Sequence, residues 1–176
     1  MMDKTQVVAA SVMTVLLVGA TYTDIRYSKI FNAVTVPAAI LGIVVNGVGH
    51  GVAGLIGSIE GIALGLALLP ICGLLGRILG GGDIKLLAAV GALEGPYVLL
   101  WACGYTAIAG GILAVMVALW RRSLRAGVER LGHALWARMA ANATLDIKTA
   151  DAKARLPYAI AIAFGSLIAV YAVQLH

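Results

Sequence analysis

The sequence predicts an all-α membrane protein: a polytopic bundle of about six transmembrane helices plus one cytoplasmic amphipathic helix, forming a single membrane-embedded domain over residues 1–176. Three observations carry this prediction. The chain is 61% hydrophobic and only 12% charged, with a mean hydropathy of +0.98, whereas soluble domains are about half apolar and about a quarter charged. Its apolar runs approach the roughly 20 residues that a bilayer core requires. Its cations fall on one side of those runs, as the positive-inside rule demands.

The first run, Val7 to Tyr22, carries no charge. Its length favours a retained helix over a cleaved signal segment. The second, Ala33 to Val48, has Pro37 near its start, where a helix tolerates proline. The third runs from about Leu55 to Leu75 and contains Glu60 and Pro70. Gly57, Gly61 and Gly65 repeat there at intervals of four, a pattern that lets a second helix approach closely. Glu60 lies beside that stripe, near the outer end of the span, and an intramembrane acid carries a functional hypothesis. A short fourth segment, Ile84 to Leu93, ends at the turn signal "EGP". The fifth is Tyr97 to Trp120 and the last Pro157 to Val173.

Between the last two lies the long polar piece, 121–156. Leu124, Val128, Leu131, Leu135 and Met139 recur there at helical spacing among arginines. Such a basic amphipathic helix suits the bilayer interface, with anionic lipid as its natural partner. With the N-terminus outside, twelve of the thirteen Lys and Arg face the cytoplasm and only Lys4 faces out. The +5 formal charge therefore reads as orientation and not as nucleic-acid binding. Cys72 and Cys103 sit singly in apolar runs and read as small buried hydrophobes. No ligand cluster calls for a metal, and no motif calls for a cofactor.

Two acids stand apart. Asp24 follows the first span in "TDIRYSKIFN", and Asp83 follows three glycines in "GGGDIK". The charge count places both on the cytoplasmic side. If they meet, two carboxyls in a low-dielectric site share one proton. One can then act as base on water while the other acts as acid on a scissile carbonyl. Gly80, Gly81 and Gly82 would permit unusual dihedrals and the close approach of a substrate strand. A structural reading stands beside this one: Asp83 as the N-cap of the next helix, and Asp24 with Arg26 as an interfacial pair. Lys85 reads as an interfacial anchor.

Together the two motifs resemble those of the type IV prepilin peptidases, which are GxGD-type intramembrane aspartic proteases. The first motif is matched by Asp24, Arg26, Ile30 and Asn32, with Phe31 where proline is usual; the second by Gly80, Gly82, Asp83 and Lys85. "RLPYAIAIAFG", Arg155 to Gly165, is similar to the family's last span. The resemblance implies a catalytic pair, Asp24 and Asp83, that hydrolyses the peptide bond after the basic leader of prepilins or pseudopilins. Cleavage would occur at the cytoplasmic face of the bacterial inner membrane. The chain lacks the paired-cysteine insert of the methylating members, so peptidase without methyltransferase is expected, as in the short tight-adherence (Flp-type) enzymes. The rival readings are a channel or transporter subunit with an acidic ion path through Asp24, Glu60 and Asp83, a non-enzymatic scaffold, and the same protease chemistry acting on a signal-peptide remnant.

Overall fold

The computed structural model describes residues 4–74, 80–120 and 158–174. The amphipathic segment expected over 121–156 and Arg77 lie outside the described residues. Among the described residues four helices are formed: α1 (Lys4–Tyr27), α2 (Asn32–Leu74), α3 (Gly81–Trp120) and α4 (Tyr158–Gln174). Among the described residues, three helices are long and apolar enough to cross a membrane, and α4 is a shorter apolar helix.

At 43 residues, α2 as a straight rod would be about 65 Å long, twice the roughly 30 Å of a bilayer core. It is not straight. Gly51 adopts φ 62°, ψ −140°, a conformation that side-chain-bearing residues avoid. The Asn46 amide donates to Ser58 Oγ at 3.0 Å, although twelve residues of helix would hold them about 18 Å apart. The chain therefore folds back at Gly51 into two arms. The 40-residue α3 is likewise interrupted at Gly95 (φ 82°, ψ 174°), with Pro96 opening its second arm. Proline is well suited there, because its missing N–H would have no partner in a first helical turn.

The short first arm of α3, up to Glu94, is the centre of the molecule. Leu86, Leu87, Val90, Ala92 and Leu93 are almost fully buried. Both arms of α2 press on it: Gly42 lies against Ala92 and Leu93, Gly65 against Ala88, and Gly61 against the Gly91 backbone. Here the absence of side chains permits backbone contact, and dispersion is the main force between helices in lipid. The expected glycine stripe thus works at Gly61 and Gly65. Gly57 faces open space instead. Around this centre, Met13, Leu16 and Leu17 of α1, Leu99 of α3 and Ile162 of α4 complete the core. Val15, Val18, Val44, Val48, Ile59 and Ile112 point outward, as lipid-facing side chains do.

The chain order gives the bundle two distinct ends. The end of α1 and the starts of α2, α3 and α4 gather at one. The start of α1, the turns at Gly51 and Gly95 and the end of α4 gather at the other.

Candidate active site

The first motif spans the exit of α1 and the entry of α2. Asp24 sits in the last turn of α1, and the Asp24 carbonyl accepts the Ser28 N–H at 2.8 Å. Ser28 then turns the chain with φ 51°. The ring of Phe31 packs edge-on against Tyr27, with centroids 5.7 Å apart and planes at 71°. Such a contact is worth about 0.5–1.5 kcal/mol. It ties the start of α2 to the end of α1, bracing a turn that proline stiffens in the sequences it resembles.

The second motif is the start of α3. Gly80 accepts the N–H groups of Asp83 and Ile84, and its own N–H donates to Asp83 Oδ2 at 3.0 Å. Gly80 is therefore the N-cap. Asp83 is the third helical residue, reaching back in the manner of a capping box. This corrects the N-cap reading of Asp83. The glycines also differ from expectation. Among the described residues the only glycines with positive φ are Gly51 and Gly95, so Gly80, Gly81 and Gly82 adopt no left-handed backbone. Gly81 and Gly82 belong to the helix and do not break it.

What Gly82 supplies is space. A Cβ there would lie 3.1 Å from Ile30 Cβ, in the turn of the first motif. The motifs also meet through Lys85, whose Nζ donates to Asn32 Oδ1 at 3.0 Å. Asp24 and Asp83 are close enough for their charges to interact. A third element joins them: Asp24 Oδ2 accepts the N–H of Ala159, in the first turn of α4, at 3.2 Å. That N–H is one of the donors a helix start leaves unpaired. Tyr158 beside it packs its ring on Gly110 of α3.

The structure thus brings together Asp24, Ile30 and Asn32 with Gly80, Gly82, Asp83 and Lys85. It leaves Arg26 exposed at the end of α1. Glu60 is apart from them, exposed on the second arm of α2 beside the Gly61–Gly91 contact. It lies nine residues past Gly51, about 13 Å along the helix. One acid went unread in the sequence. Glu94, taken there as part of a turn signal, is half-buried at the Gly95 end of the bundle, with its Oε1 closed off from solvent. Among the described residues no group of three or more His, Cys, Asp or Glu is placed to hold a metal ion.

Two carboxylates at the shared end of three helices, each tied to a backbone N–H, form an arrangement able to activate water and protonate a carbonyl. Comparison with curated proteins and with solved structures gave no match. Comparison with protein families gave one: the Type IV leader peptidase family matches residues 11–115, which include both motifs, and the chain belongs to that family.

Proposed function

We propose that this protein is a prepilin-type leader peptidase working as an intramembrane aspartic protease, with Asp24 and Asp83 as its catalytic pair. The observation that carries the reading is the docking of the two motifs: Gly82 on Ile30, Lys85 on Asn32, and Asp83 within charge range of Asp24. Family membership supplies the reaction class.

The mechanism follows from two acids sharing one proton. The ionised carboxyl takes a proton from water as the water oxygen attacks the scissile carbonyl carbon. The protonated carboxyl gives its proton to the carbonyl oxygen. The resulting gem-diol collapses, the C–N bond breaks, and the nitrogen leaves as the new N-terminal amine after taking a proton back. The substrate is the peptide bond between the basic leader and the hydrophobic helix of a pilin-like precursor.

Topology supports the placement. Among the described residues the turns at Gly51 and Gly95 divide the helices into six segments, which is compatible with the proposed six crossings and an outside N-terminus. The acids then sit at the cytoplasmic face of the inner membrane, beside the exposed Arg26, Lys29 and Lys85.

The test is cleavage of a prepilin peptide by detergent-purified protein, with the products weighed by mass spectrometry. Asp24→Asn and Asp83→Asn are each expected to lower the rate at least a thousandfold while thermal unfolding stays cooperative. Full activity in either variant overturns the assignment.

A further inference from the structure

The end of the bundle opposite Asp24 and Asp83 holds a cavity of about 220 Å³. Its polar lining is Gln6 of α1, Asn46, His50 and Ser58 from the two arms of α2, and Glu94 of α3. A cavity so lined is wet, since cavities that stay empty are apolar. At about 30 Å³ per water it has room for roughly seven.

Its chemistry is that of an acceptor. Glu94 Oε1 is out of reach of solvent and has no hydrogen-bond partner among the described residues. The described lining contains neither Lys nor Arg to balance the carboxyl. The Asn46 amide nitrogen is spent on Ser58 Oγ and on the carbonyls of Ala92 and Leu93, at 3.0–3.1 Å. Those three acceptors fix which end of the amide is nitrogen, so its oxygen is the end left to accept. A carboxyl with one oxygen closed off and unpartnered loses free energy, unless a nearby charge or donor compensates it.

These features select a ligand class. The carboxylate disfavours anions, while Ala9, Leu93, Val98, Val170 and Val173 make much of the wall apolar, so the polar contacts converge on the Glu94 side. Oxygen donors suit hard cations. One carboxylate with neutral oxygens balances one positive charge, whereas divalent sites commonly gather several carboxylates. We propose that this cavity binds a compact monovalent cation, an alkali ion or a primary ammonium group, held by Glu94 with the oxygens of Asn46 and Ser58. Because these residues come from both arms of α2 and from the end of α3's first arm, the bound cation ties the turns at Gly51 and Gly95 together. The proposal is independent of the peptidase reading.

The experiment is thermal unfolding of the full-length protein in detergent, titrated with sodium, potassium or methylammonium chloride against choline chloride at equal ionic strength. A saturable rise in Tm is expected with a compact cation and not with choline. The salt that acts tells an alkali-ion site from an amine site. Glu94→Gln is expected to weaken the response at least tenfold, and Asp24→Asn, at the other end, to retain it. If Glu94→Gln does not fold, Ser58→Ala is read instead, with at least a threefold weakening. A response identical in choline, or undiminished in the folded cavity variant, overturns the proposal and leaves the cavity with water alone.

Discussion

Gly82 sets how closely the two motifs dock, and replacing it separates stability from activity. An added Cβ would lie 3.1 Å from Ile30 Cβ, 3.5 Å from its nitrogen and 3.6 Å from its oxygen. Comfortable carbon contacts lie at about 3.5–4.0 Å, so alanine must push the Ile30 turn away by about half an ångström. That turn leads back to Asp24 six residues earlier, and Gly82 adjoins Asp83. Misplacing reacting groups by about 1 Å costs roughly a hundredfold in rate, so Gly82→Ala is expected to lose about tenfold in kcat and Gly82→Val more than a hundredfold. Stability moves the other way, because alanine in place of helical glycine gains up to about 1 kcal/mol. Gly81→Ala is the control. It shares the helical gain, but its Cβ meets nothing within 4 Å, so activity should be unchanged. Cleavage kinetics on a prepilin peptide and thermal unfolding are measured on all three variants. Equal kcat in Gly81→Ala and Gly82→Ala would refute the docking argument, provided Asp83→Asn remains inactive.

Two further outcomes are expected. Gly51→Ala and Gly95→Ala each force a side chain into a glycine-only conformation and should destabilise by about 1–3 kcal/mol, read from thermal unfolding in detergent. A double-mutant cycle with Lys85→Met and Asn32→Ala should return a coupling of about 0.5–1 kcal/mol, near the low end for a hydrogen bond because this one is exposed.

Much of the helical layout was legible because apolar runs and glycine or proline punctuation are local signals. The runs read at Val7–Tyr22, Ala33–Val48, Ile84–Leu93 and Tyr97–Trp120 each fall inside one helix or one arm. The pairing of Asp24 with Asp83 was legible only as a hypothesis, since a gap of 59 residues does not force a contact. Two features were hidden for a physical reason. The role of Gly82 depends on Ile30 arriving from another helix, whereas the sequence argued for dihedral freedom, which resides at Gly51 and Gly95. Glu94 Oε1 is closed off only once α2 has folded back and α1 and α4 have packed around the cavity, and no local pattern announces that.

The two acids of the proposed pair differ in what holds them. Asp83 is in the first turn of α3, where a carboxylate meets the positive end of the helix dipole and closes a cap; helix formation alone accounts for it. Asp24 is in the last turn of α1, facing the negative end, where a carboxylate costs about 0.3–1 kcal/mol. Arg26 in the same turn carries the charge that suits the dipole, but the hydrogen bond to Asp24 comes from outside α1. The donor comes from Ala159, 135 residues later, in the first turn of α4. Holding an acid there engages three elements: α1 carries it, α4 supplies the N–H, and α3 brings Asp83 beside it. An arrangement that opposes local preference and is repaired from a distance is what positioning a reactive group requires. It also makes the first turn of α4 the lever on the pair, since any shift of Tyr158 and Ala159 moves the hydrogen bond that orients Asp24.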